Sequence, residues 1–139
     1  MNDLRNRYQN KGKGISMNYW VVGAMFGGRK DMDQLERFIG DGCWEYGYEP
    51  GEQLVQERRF REIKVNDRIA IKRRLGKGSK QIEIRAIGIV TGIEPGKTRV
   101  SVKWLVTEMN RIVQSHGAIA TIHGPFASGD PWTNQVFSI

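Results

Sequence analysis

Apolar residues run almost unbroken from position 19 to 24 (YWVVGA), a short β-prone stretch that predicts a buried strand. Phe26-Gly27-Gly28-Arg29 then reads as a glycine-rich turn. Asp31 is placed to cap a helix, with Gln34 three residues on, and Met32, Leu35 and Ile39 share one helical face that ends at Gly40 or Gly42. Residues 41–51 (DGCWEYGYEPG) mix aromatics with turn formers and predict a loop with large side chains to place. From 68 to 74 (RIAIKRR) polar and apolar positions alternate, which puts Ile69 and Ile71 inward and Lys72 and Arg73 near the rim of a strand. Gly76-Lys77-Gly78-Ser79 is a hairpin connection. A long strand follows over 81–94, with Ile82, Ile84, Ala86, Gly88 and Val90 on one face, and Gly88 marks a bulge or a close backbone approach.

Pro95-Gly96 predicts a turn, and 99–106 another alternating strand with Val100, Val102, Trp104 and Val106 on one side. Met109, Ile112 and Val113 suggest a short helix over 108–114. A strand over 119–122, a loop over 123–130 and a last element ending at Val136-Phe137 complete the chain. Hairpin-linked strands with few helices imply an α+β fold: a curled, mostly antiparallel β pseudo-barrel, partly open, with a few short helices packed outside. Residues 1–16 lack apolar periodicity and are read as a flexible basic arm or an added leader, with Met17 a second start, so the domain is expected to span 17–139.

Composition adds limits. A chain of 139 residues has room for one core. No apolar run approaches the roughly 20 residues that cross a bilayer, and residues 1–16 have no apolar stretch of the secretory kind. A cytoplasmic location without membrane contact is therefore expected. Cys43 is the single cysteine, which leaves no internal disulfide. Two histidines seven residues apart, His116 and His123, do not make a metal site with it, so no metal or other cofactor is expected.

Charge changes the picture more. Residues 57–85 hold eleven Lys/Arg against four Asp/Glu, a surplus equal to the +7 of the whole chain. Such concentration suits a phosphate backbone, where each neutralised phosphate releases counterions, although a solvated strand face accounts for it equally well. The GKGS segment lacks the spacing and the following helix of a phosphate loop, and Ser115-His116 has no nucleophile-elbow context. Asp31, Asp33, Asp41 and Glu45 are explained by capping and turns. No catalytic constellation is legible, so the chain is expected not to be an enzyme.

The aromatic residues are the remaining candidates. Core packing accounts for Trp20, and it is the simpler reading for Trp104, which is nonetheless kept as a candidate for a base site. Trp44 and Trp132 sit among glycines, acids and a proline, where a planar ring has less reason to be buried and is suited to stacking on a nucleobase.

In order and spacing, YWVVGA, Gly42-Cys43-Trp44, VNDRIAIKR (65–73) and IEIRAIGIV (82–90) together resemble the EVE-type domains of the PUA-like superfamily, which also includes the YTH and ASCH domains. VSVKWLV and IATIHGPF look like a bacterial subgroup of them. The resemblance spans about residues 19–139 and implies a pocket that accepts a single base. It implies a stacking wall at Trp44, contacts to the base edge from Ala24, Met25 and Phe26, and phosphate contacts from Lys72, Arg73 and Arg74, to which Lys77 and Lys80 are added from the charge pattern. The commoner EVE pattern closes its first strand with a Lys-Ser-Glu-Pro-like motif where this chain has GAMFGG, so the identity of the base stays open. The expected function is recognition of a modified DNA base, such as 5-methylcytosine or 5-hydroxymethylcytosine, as a specificity component beside a restriction-type effector protein. An RNA-binding module and an ASCH-like hydrolase or nuclease are the alternatives.

Overall fold

The computed structural model describes residues 17–94 and 98–139. The proposed arm at 1–16 and the Pro95-Gly96 turn lie outside the described residues. Seven strands, β1 (Asn18–Gly23), β2 (Cys43–Glu45), β3 (Arg68–Arg74), β4 (Gln81–Ile93), β5 (Arg99–Val106), β6 (Arg111–Gln114) and β7 (Ile122–Ala127), form one curled mixed sheet in the order β2-β5-β4-β3-β1-β7, with β6 also on β4. Three short helices flank it: α1 (Leu35–Asp41), α2 (Leu54–Glu62) and α3 (Pro131–Phe137). The fold is therefore α+β, a half-barrel consistent with a PUA-like pseudo-barrel. Pairing is antiparallel throughout the described sheet except between β1 and β3, which run parallel with Gly23 opposite Lys72.

The unbroken apolar run of β1 has a plain cause. Trp20 and Val22 enter a core with Phe38 of α1, Phe60 of α2, Ile69, Ile71 and Val102, whereas Val21 enters a second core with Ala70, Ile84, Trp132 and Val136. A strand covered on both faces has no polar side to alternate with.

The single-face reading of β4 is corrected. Ile71 pairs with Ala86 and Lys72 with Ile84, which leaves Arg85 as an extra residue in the ladder. A one-residue insertion inverts the side-chain alternation. Ile82 and Ile84 thus join the second core, and Ala86 and Val90 the first. Gly88 is a close approach: a Cβ there would stand 2.5 Å from Val102 Cγ1 and 2.9 Å from the Lys103 carbonyl oxygen.

Other expectations also change. The helix foreseen over 108–114 is strand β6, because the first half of β4 extends past the end of β5 and offers Gln81–Ile84 as a pairing edge. The strand foreseen over 119–122 begins only at Ile122 and continues to Ala127, through a stretch read as loop. Pro125 is tolerated there because β7 is an edge strand. Asp31 does not cap α1; it pairs with Arg29, and the Asp33 carboxylate accepts the Leu35 amide at 3.1 Å. Gly42 does end that helix, in the left-handed conformation. Helix α2 went unread because its apolar stripe is missing: Leu54 and Val55 are 71% and 51% exposed and Phe60 alone is buried. Among the described residues no helix is long and apolar enough to cross a membrane.

Candidate nucleic-acid interface

The carboxyl ends of the parallel pair β1 and β3 open into a cavity of about 860 Å3. Residues 23–28, which leave β1, form one part of its lining; residues 72–77, the end of β3 and the start of its hairpin, form another. Tyr46, Gly47 and Tyr48 from the loop after β2 supply the third, and Ile119 and Thr121 before β7 the fourth. The Gly23 amide donates to the Thr121 carbonyl at 2.8 Å, which joins the first and fourth parts.

Five cations line this space, Lys30, Lys72, Arg73, Arg74 and Lys77, and no Asp or Glu does. Arg73 is ion-paired with Glu83 at 3.1 Å, while its Nε is buried without a hydrogen-bond partner. Lys30, Arg74 and Lys77 are exposed and form no ion pair among the described residues. Lys72 differs from all of these, being only 6% exposed. Burial, with the charge of Arg74 adding to it, holds its ammonium down at about 8 instead of 10.5. Close by, burial and the charges of Arg59 and Lys72 lower the His123 imidazole, and its Nδ1 is buried with no partner.

The aromatic part is built on a glycine. A Cβ at Gly47 would stand 2.7 Å from the Phe26 ring, and its φ of +87° suits glycine, so the ring lies directly on the loop backbone. The Tyr48 hydroxyl lies 3.2 Å from Thr121 Oγ1, and its ring meets that of Tyr46 edge-on at 5.2 Å. Tyr46 is buried and donates its hydroxyl to the Gln53 carbonyl at 2.8 Å; burial pushes its phenol up. Phe26 and Tyr48 are the half-exposed rings of the cavity.

The tryptophan cage is not formed. Trp44 is fully buried, packed near Phe60, with its indole N–H donated to the Gly23 carbonyl at 2.8 Å. It props the cavity from below and presents no face to it. Gly42 turns the chain so that 43–45 pair with β5, and this pairing carries Trp44 into the core. Trp132 is buried in the first turn of α3, stacked with His116 and bonded to the Gln114 carbonyl at 2.7 Å. The polar signature around it is a helix start: Asp130 accepts the Thr133 amide at 2.9 Å and Pro131 occupies the first turn. Trp104 is partly buried against the first core, donates to the Phe38 carbonyl at 2.9 Å and does not line the cavity.

Of the other residues singled out in the sequence, Ala24, Met25, Phe26, Lys72, Arg73, Arg74 and Lys77 meet in the cavity, and Lys80 does not. Ala24 itself is buried and its carbonyl is taken by the Gln34 amide at 2.8 Å, which leaves it as a surface to pack on. Sequence reasoning missed Lys30, Tyr46, Gly47, Tyr48 and Thr121. The available signal was the density of rings at 44–48, from which the tryptophan was preferred to the tyrosines. Among the described residues no cluster of three or more His, Cys, Asp or Glu could hold a metal ion.

Fold and cavity together define a small α+β half-barrel module with a cationic, ring-bearing pocket where its parallel strands end. No protein-family model and no curated protein matches the chain.

Proposed function

We propose that this chain is a nucleic-acid-binding module that receives one extruded base in the cavity at the ends of β1 and β3, and that its cognate polymer is DNA carrying a modified base. The supporting observation is the lining: five Lys/Arg, no Asp or Glu, and two half-exposed rings around about 860 Å3. That volume falls within the roughly 300–1,000 Å3 of small-ligand pockets, ample for a base. Extrusion costs a few kcal/mol of unstacking, which ring stacking and edge hydrogen bonds offset. Phosphates flanking the base would meet Arg74, Lys77 and Lys30, which hold the strand without reading its sequence. The proposal includes no catalytic step; cleavage falls to a separate effector of the restriction type.

Titration of duplexes with and without 5-methylcytosine, 5-hydroxymethylcytosine, 5-carboxylcytosine or N6-methyladenine tests the proposal. Discrimination by a single methyl group is worth about 1–3 kcal/mol, so a preference of tenfold or more for one modified duplex is expected. Weak, equal and wholly salt-driven binding to all of them overturns it. Tighter binding to unpaired RNA than to any duplex transfers the same cavity to RNA, whose readers stack unpaired bases.

Two sets of variants have expected outcomes here. Phe26→Ala and Tyr48→Ala each remove a stacking surface worth roughly 1–3 kcal/mol, so each is expected to weaken binding of the preferred duplex between about fivefold and a hundredfold. Trp104→Phe, away from the cavity, is expected to leave affinity unchanged. Arg74→Glu with Lys77→Glu is expected to weaken all duplexes alike. It should also flatten the slope of log affinity against log salt by about 0.9 for each phosphate that is no longer neutralised, measured by fluorescence anisotropy.

A further inference from the structure

Lys72 is a buried amine that faces the cavity and has no carboxylate to answer it. From β3 the neighbouring charges are Arg73 and Arg74, and from β7 His123, which in turn stands near Arg59 of α2; Tyr48 adds a hydroxyl to the lining. Glu83, the acid nearest this group in the ladder, is engaged by Arg73 and Arg85. The Nζ atom stands 3.6 Å from where a Cβ on Gly23 would be, so the amine lies against the end of β1 where the cavity begins. Among the described residues it makes no ion pair, and its Nζ is not one of the side-chain atoms buried without a partner, so the amine tip still reaches the water of the cavity. An uncompensated ammonium in such a place costs folding free energy, and a binding partner that brings the missing charge removes that cost.

We propose that the inner end of the cavity is a seat for an anionic substituent on the ligand's ring, held by the Lys72 ammonium, so that the cognate base is an acid-bearing one and not a neutral methylated one. This rests on the base-extrusion reading and narrows it to a class: a pyrimidine or purine whose inserted edge carries a carboxylate. A methyl group offers the lysine nothing. A carboxylate supplies a charge-assisted hydrogen bond and stabilises the protonated amine. Occupancy therefore draws a proton onto Lys72 from solution, and binding weakens as the pH rises above about 8.

The probes are duplexes with a single 5-carboxylcytosine, 5-methylcytosine or cytosine, and free 5-carboxy-2′-deoxycytidine 5′-monophosphate. Calorimetry at pH 8, in two buffers of different ionisation enthalpy, counts the protons taken up. The carboxylated duplex is expected to bind at least tenfold tighter than the methylated one, with uptake of about half a proton per site at that pH. Lys72→Met is expected to abolish both preference and uptake. Lys72→Arg, a cation that does not titrate in this range, is expected to retain preference without uptake.

Equal affinity for the carboxylated and methylated duplexes, both tighter than the plain cytosine duplex, with no proton uptake overturns the anion seat and leaves base extrusion standing. If all duplexes bind weakly and alike, base extrusion falls and the free nucleotide decides the seat. Its binding with Lys72-dependent proton uptake upholds the seat for a free ligand, and its failure to bind so overturns it.

Discussion

Asp67→Ala is expected to lower the melting temperature by about 10–20 °C, the largest loss of stability from any single truncation outside the apolar cores. The Asp67 side chain is 2% exposed and its carboxylate accepts three donors: the Asn18 amide at 3.1 Å, the Trp20 indole N–H at 2.9 Å and the Lys64 amide at 2.9 Å. Alanine would leave all three without an acceptor. Each such loss costs about 1–3 kcal/mol, and because the three share one residue a total of roughly 3–5 kcal/mol is expected. The position explains the size of the effect. Asp67 precedes β3 and clips it to the start of β1, where Tyr19 pairs with Arg68, so it sets the register of the parallel pair whose far ends build the cavity. Binding should fall with stability. Thermal unfolding by circular dichroism checks this, and a shift under about 3 °C would show that water replaces the carboxylate without penalty. Asp67→Asn keeps one acceptor oxygen and is expected to lose less.

Much of the frame was legible because burial on one or both faces writes itself into short strands. β1, β3 and β5 were read from apolar runs and alternation, and Gly88 was read as a bulge or a close approach because a strand interior seldom carries glycine without a packing reason; it has both a register shift beside it and a close approach. What failed depends on partners distant in sequence. The extra residue at Arg85 reverses the faces of β4, and the apolar residues on either side of it, Ile84 and Ala86, are each compatible with either core. β6 is a strand because β4 leaves it an edge to join.

The site was legible in the same uneven way. The family resemblance led to Ala24, Met25, Phe26, Lys72, Arg73 and Arg74, and the charge pattern to Lys77, all of which the fold gathers in one cavity. Trp44 misled because the polarity of its neighbours says nothing of β5, against which its strand pairs. Its indole still serves the cavity at one remove, by holding the Gly23 carbonyl from the core side while the Gly23 amide holds Thr121.

Lys72→Met is expected to make the protein more stable and the cavity less able to bind, two effects of opposite sign from one side chain. The folded ammonium loses its proton at about 8 and the unfolded one at 10.5. Below pH 8 both states are protonated and the folded state bears the whole cost of the buried charge. Between pH 8 and 10.5 the folded lysine is neutral while the unfolded chain still holds its proton, so stability rises with pH across that window. Above 10.5 both are neutral and the penalty is gone. A difference of this size corresponds to roughly 3 kcal/mol at neutral pH, and relaxation around the amine makes that a ceiling. Methionine has the length to fill the same space without the charge. Urea unfolding of both proteins at pH 7 and pH 10 checks the claim. The variant should lead by about 1–3 kcal/mol at pH 7, and its lead should shrink towards zero as the pH approaches 10.5. A variant no more stable than the parent at pH 7 would mean that the amine is already compensated, and a ligand that supplies its counter-charge would no longer be called for. A residue that weakens the fold where an apolar one would strengthen it is the mark of a group retained for what it binds.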